Sequence, residues 1–283
     1  MKIAISAEST IDMPQELLNE FDIHTVPFTI LLGDKTGLDG KITSSEIIEY
    51  VKENKVLPKT SAVNEHQYNE HFSKLLSDYD AVIHFSLSSG LSSAYENAVA
   101  SAKNFKNIYV VDTLSLSTGI ALLAIYARKL ARKNVAPERI FELCNIRKKD
   151  LQVSFVLKRL DFLYKGGRCS SLQLLGANLL QLRPEILVED GKMHSSKKFR
   201  GNMDVCVTKY CEDILQRFST PDKSEVFVTY TTATKEMLDN ATKCLKNAGF
   251  ENIHYTTAGG TITSHCGEFC LGILYINSEE PKI

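Results

Sequence analysis

Short apolar runs of strand length alternate along the chain with stretches whose apolar positions recur every three to four residues, the mark of alternating strands and helices. KIAIS at Lys2 to Ser6 is a β run, and Asp12 followed by Pro14 predicts a helix through Phe21, since an aspartate cap accepts orphan amides and proline suits a first turn. HTVPFTILLGDKTG, His24 to Gly37, is expected to be extended and to end in Gly-Asp and Thr-Gly turns. Thr43 with Glu46 predicts a capping box for a helix to about Asn54, and a second helix is expected over Glu65 to Leu76. AVIHFSL and IYVVD flank a helix from Ala94 to Asn104, the pattern of parallel strands joined by crossovers, so the first half reads as a doubly wound sheet. Two helices follow, Ser117 to Lys133 and Pro137 to Lys149, the first apolar on several faces and expected to be largely buried.

The second half opens on VSFVL, turns at Gly166 to Arg168, and is expected to form a leucine-rich helix from Ser171 to Leu182, stopped by Pro184. EILVEDG reads as a strand and turn; VFVTY, a helix from Thr234 to Lys246 closed by Gly249, ENIHYTT and FCLGILYI complete a second α/β set. The fold class expected is two-domain α/β, an N-terminal domain over 1–149 and a C-terminal domain over 150–283, with a ligand cleft between them.

Composition narrows the partners. Lys and Arg total 33 against 34 Asp and Glu, which supplies no broad basic field for nucleic acid or an anionic membrane. The longest wholly apolar run, Ile120 to Ala127, is far shorter than the roughly 20 residues needed to cross a bilayer. MKIAISAEST lacks the features of a secretory signal. Seven cysteines, an odd number in a chain too large to need staples, point to a reducing, cytoplasmic setting. Their spacings do not form compact zinc knuckles, although His265 stands beside Cys266, so no metal is expected.

Hydroxyl clusters follow the carboxyl ends of predicted strands, where open α/β sheets bind ligands: EST at Glu8 to Thr10, SLSSGLSSAY at Ser86 to Tyr95 and DTLSLSTG at Asp112 to Gly119. PKTSA at Pro58 to Ala62 lies between two helices and is placed to fold over the same edge. Such hydroxyls either bind an anionic headgroup or cap helices and close turns. Arg168 and Arg200 sit in short turns that present a guanidinium to a carboxylate or phosphate, or bond loop carbonyls. No G-x-S-x-G elbow, phosphate loop or dinucleotide fingerprint occurs, which weakens a serine hydrolase and nucleotide chemistry alike.

Together these stretches resemble the DegV family. The matching residues are EST near the start, PKTS at Pro58 to Ser61, the SS-x-LS pattern at Ser88 to Ser92 with Tyr95, VVDT at Val110 to Thr113, LYKGGR at Leu163 to Arg168, KKFRG at Lys197 to Gly201 and His-x-Gly at His265 to Gly267. The resemblance implies a fatty acid held between two α/β domains, its carboxylate bonded by Thr60 and Ser92 with Ser61 and Ser93 beside them, and Arg168, Arg200 and His265 near the headgroup or facing a kinase. FakB-type members present the bound acid to a separate fatty acid kinase, and the acyl phosphate feeds phospholipid synthesis. A carrier without catalytic activity or cofactor is therefore expected, against the alternatives of a hydrolase using a serine with His265 and of a lipid-sensing regulator. The chain departs from the family pattern at Glu8, where Asp is usual, at Ser93-Ala94 in place of Gly-Thr, and at HCGEF in place of His-x-Gly-Pro-Gly. A long tail also needs an apolar channel, for which Phe28, Ile30 and the leucines of SLQLLGANLLQL are candidates, although ordinary core packing is the readier account of any one of them.

Overall fold

A computed structural model describes residues 1–169 and 182–278. The apolar runs of the first half form four parallel strands, β1 (Ile3–Glu8), β2 (Ile23–Val26), β6 (Ala81–Ser86) and β7 (Ile108–Asp112), in the order β2-β1-β6-β7. Every residue of β1 and β6 is buried, as expected of parallel strands covered by crossover helices on both faces. Those crossovers include α1 (Gln15–Glu20), α3 (Glu65–Leu76) and α4 (Ala94–Ala102). The extended segment after α1 divides in two: β2 joins the parallel sheet, whereas β3 (Thr29–Leu32) and β4 (Lys35–Leu38) form a hairpin turned at Gly33-Asp34. β5 (Lys59–Ser61) pairs antiparallel with β3, and α2 (Ser44–Asn54) joins the two parts of this three-stranded sheet. Thr43 caps α2 through the Glu46 amide, and the Glu46 side chain pairs with Lys35.

The Asp12 cap predicted from sequence does not form. α1 starts at Gln15 with Pro14 as its N-cap and no side-chain cap, and Asp12 takes a left-handed conformation at φ 54° that turns its carboxyl elsewhere.

The second half builds a six-stranded sheet, β10-β9-β8-β13-β11-β12, from β8 (Leu151–Leu157), β9 (Leu182–Glu189), β10 (Lys192–Arg200), β11 (Glu225–Tyr230), β12 (Asn252–Thr257) and β13 (Cys270–Ile276). Only the β11–β12 pair is parallel. Apart from Leu182, which opens β9, the expected leucine-rich helix lies outside the described residues. β10, an exposed polar strand, and α8 (Met203–Arg217) were not expected from the sequence; α8 and α9 (Lys235–Asn247) cover a core formed by Val156, Tyr210, Ile214, Val228 and Leu271.

Between the two large sheets runs α5 (Thr118–Arg132), packed on β1 and β6 on one side and on β8, β11 and β13 on the other. This explains why it is apolar nearly all round, and one core runs from Ile5 and Ile83 through Ile120 and Leu123 to Val153 and Leu274. α6 (Pro137–Arg147) follows it. Two short helices complete the described chain, α7 (Asp161–Gly166) and α10 (Gly260–Cys266).

Candidate functional site

Six of the seven residues singled out from the sequence come together. Thr60 and Ser61 on β5, Ser92 and Ser93 in the loop entering α4, Arg168 after α7 and His265 on α10 line one cavity of about 300 Å³. Apolar side chains form the rest of its wall, among them Phe28, Leu87, Leu91, Leu116, Met193 and Ile262. Arg200 ends β10 opposite Leu182, exposed and away from this lining. Ile30 packs with Leu32, Ile42 and Ile47 in a small core of its own, so of Phe28 and Ile30 it is Phe28 that lines the cavity, the candidate leucines apart from Leu182 lying outside the described residues.

Hydrogen bonding separates the serines that build the loop from those that face the cavity. Ser88 Oγ donates to the Gly191 carbonyl at 2.7 Å, and Ser89 Oγ to Asp112 at 2.6 Å. Both tie down the loop. Ser92 Oγ accepts the Ala94 amide at 3.2 Å and keeps its proton for another acceptor, and Ser93 occupies the N-cap of α4 without a side-chain cap bond. The Asp112 to Gly119 cluster is structural: Thr113 Oγ1 donates to the Ser86 carbonyl and Ser117 Oγ to Asp12.

Thr60 Oγ1 lies 2.9 Å from His265 Nε2. Burial, reinforced by the Arg168 cation, lowers the His265 pKa to about 4, so the imidazole is neutral at physiological pH. Its Nδ1 is buried without a partner among the described residues and faces Gly166, where a Cβ would lie only 2.8 Å away. A bare ring nitrogen is tolerated there more readily than an orphaned N–H, which assigns the proton to Nε2. Thr60 Oγ1 then accepts from His265, and its own proton is free to be donated to an anion in the cavity. The Gly-Gly-Arg turn is also explained. Gly166 makes room for the imidazole, Gly167 caps α7 at φ 70°, and Arg168 bonds the Gly166 carbonyl at 2.6 Å.

α10 is held in place by two carboxyl groups from the N-terminal half, which sequence reasoning missed as a pair. Asp12 accepts the Gly259 amide at 2.8 Å and Ser117 Oγ at 2.5 Å; Asp39 accepts the amides of Gly260 and Thr261 and the Ser9 hydroxyl. Burial raises the Asp12 pKa to about 8, with the Asp39 charge adding to it and the Ser117 and Gly259 bonds opposing it. Glu8 is buried differently. It accepts from Tyr68, Ser86 and the Leu87 amide and contacts His84 Nε2 at 3.1 Å, while His84 Nδ1 lies 3.0 Å from Ser6 Oγ. This serine–histidine–carboxylate line resembles a hydrolase constellation, but Ser6, His84 and Glu8 are all 0% exposed and none lines the cavity. Its structural effect is to fix Leu87 in the cavity wall.

A family model described as an uncharacterised protein, DegV family, matches residues 2–278. The chain belongs to the DegV family. A fatty acid-binding protein of Thermotoga maritima is 28% identical to it over 284 residues, covering 96% of each chain. Among solved structures, a DegV family protein from Thermus thermophilus, described by its fatty acid binding, superposes with a TM-score of 0.88 at 25% identity, covering 98% of this chain and 100% of that one. A Thermotoga maritima protein whose structure is said to reveal a fatty acid binding function gives a TM-score of 0.84 at 26% identity, covering 98% and 99%. Among the described residues no helix is long and apolar enough to cross a membrane, and no group of three or more His, Cys, Asp or Glu is placed to hold a metal ion.

Proposed function

We propose that this protein is a cytoplasmic carrier of a long-chain fatty acid, without catalytic activity of its own, which presents the acid's carboxylate to a separate fatty acid kinase so that the acyl phosphate can enter phospholipid synthesis. The observation that carries the reading is the polar mouth on an otherwise apolar cavity. In this reading Thr60 and Ser92 donate to the carboxylate, Ser61 and Ser93 stand beside them, and Arg168 supplies the opposite charge. Arg200, exposed on β10, is assigned to the kinase-facing surface. The fatty-acid-binding relatives support the ligand class, and an odd count of seven cysteines suits a reducing compartment.

The tail is assigned to the seam between the sheets. Leu116, Ile262 and Cys266 line both the cavity and a narrow apolar space continuing toward Phe155, Cys270 and Leu274. Each methylene buried there contributes about 0.8 kcal/mol, so the tail supplies most of the affinity and the mouth supplies orientation. A hydrolase reading lacks support in the geometry: the hydroxyl against His265 belongs to a threonine, and among the described residues no carboxylate bonds the imidazole Nδ1 to orient it.

Mass spectrometry of lipid extracted from the purified protein tests the carrier reading. A long-chain acid near one per chain is expected; a protein that carries none and binds no added fatty acid refutes it. Kinase presentation is tested separately, by asking whether the loaded protein, and not free fatty acid alone, stimulates ATP consumption by a bacterial fatty acid kinase.

A further inference from the structure

Thr261 lines the cavity from the first turn of α10, one helical turn before His265. It is 3% exposed, and its Oγ1 has no hydrogen-bond partner among the described residues. The other hydroxyls of α10 are satisfied. Thr263 Oγ1 bonds Ser44 Oγ and the Ala258 carbonyl, and Ser264 Oγ bonds the Gly260 carbonyl. The Thr261 amide is likewise taken, by Asp39. A valine would fill the same volume without burying an unpaired hydroxyl, so this hydroxyl is costly unless something entering the cavity bonds it.

Its depth indicates what that something is. Thr60, Arg168 and His265 line both the cavity and an outer cleft of about 410 Å³, whereas Thr261 lines the inner cavity alone. Four residues of helix separate it from His265, a rise of about 6 Å. A carboxylate at the mouth therefore leaves Thr261 facing the first part of the acyl chain. Resting on the fatty-acid reading of the cavity, we propose that Thr261 bonds a hydroxyl carried on one of the first several carbons of the ligand, so that the preferred ligand class is a fatty acid hydroxylated near its carboxyl end.

The test is a binding series by calorimetry with a saturated acid and its derivatives hydroxylated on carbon three, carbon five or carbon twelve. The parent protein, Thr261→Val and Thr261→Ser are compared, with circular dichroism to check their folding. The parent should bind a carbon-three or carbon-five derivative roughly two- to tenfold more tightly than the plain acid, as one added hydrogen bond warrants. Thr261→Ser should keep that preference and Thr261→Val should abolish it. Equal binding of plain and hydroxylated acids by the parent overturns the proposal, as does a preference that survives in Thr261→Val. Weaker binding of the plain acid by Thr261→Val also overturns it, because it assigns Thr261 to the carboxylate. All three results leave the fatty-acid reading standing; failure of the parent to bind any of the acids sinks both.

Discussion

Glu8 and Asp12 lie four residues apart, both within one short segment and both buried, yet their acidities move in opposite directions. Burial pushes both upward. At Glu8 it is outweighed by His84, Tyr68 and the Leu87 amide, which hold the carboxyl below its ordinary range. At Asp12 two donors are too few, the Asp39 charge opposes ionisation, and the pKa rises to about 8. The number and kind of hydrogen-bond donors, more than depth, decides whether a buried carboxyl keeps its charge. The consequences also differ, since Glu8 fixes the cavity wall through Leu87 while Asp12 anchors the helix that carries His265.

The largest effect expected is from Glu8→Ala, which strands His84, Tyr68, Ser86 and the Leu87 amide without their acceptor. A loss of about 3 to 5 kcal/mol in urea unfolding is expected, as for breaking a buried pair. A loss below about 1 kcal/mol would mean the network adds little to stability.

Asp12→Asn should act in the opposite direction. Folded Asp12 retains a proton that the unfolded chain releases near its ordinary pKa of 3.8, so its contribution to stability is full below that value and is lost as pH rises through about 8. Glu8 has the reverse sign: its contribution is present above the ordinary 4.5 and is lost as pH falls through its depressed value. Asp12→Asn is therefore expected to be near neutral at pH 4 and to stabilise by roughly 1 to 3 kcal/mol at pH 8, where the buried charge would otherwise cost most. Denaturation midpoints at both pH values check it, and equal effects at the two would remove the distinction between the carboxyls.

At the mouth, Thr60→Ala and Ser92→Ala should each weaken fatty acid binding by roughly tenfold to a hundredfold, the range for losing a hydrogen bond to a charged group, with unfolding unchanged. Arg168→Ala should reduce kinase-dependent phosphorylation more than binding. Fluorescent fatty acid titration beside a coupled kinase assay separates these roles; unaltered binding by both hydroxyl variants would move the headgroup elsewhere. The smallest effect concerns His265. With its pKa near 4, it gains charge only below that value, so affinity should vary less than about twofold between pH 6 and 8. A steady fall in affinity across that interval would assign the imidazole a charge near neutrality.

Local signals were legible in the sequence. Asn64 closes a full capping box with Gln67 on α3, whose limits are those expected, and the buried strands announce themselves as apolar runs. What escaped depends on partners distant along the chain. Asp12 reads as a cap because aspartate before proline usually is one, but its acceptor oxygens are used by Ser117 and by Gly259, 247 residues away. Spacing alone cannot distinguish Ser88, spent on Gly191, from Ser92 on the cavity wall. β10 is so polar that only pairing with β9 reveals it as a strand, whereas α8 did carry a readable stripe in Val207, Tyr210, Cys211 and Ile214. Thr261 and Ile262 share a face with His265 and Cys266, but α10 is too short for periodicity to expose them.

The burial of α5 between the two large sheets has a thermodynamic consequence. Pulling the halves apart would wet both sides of a helix in which 12 of 15 residues are buried, so neither half has a complete interior without the other. The chain should melt in a single cooperative transition despite its two large sheets. Any molecule lodged in the cavity between them then adds its binding free energy to the cohesion of the whole, raising the melting temperature in proportion to the logarithm of its concentration relative to its dissociation constant.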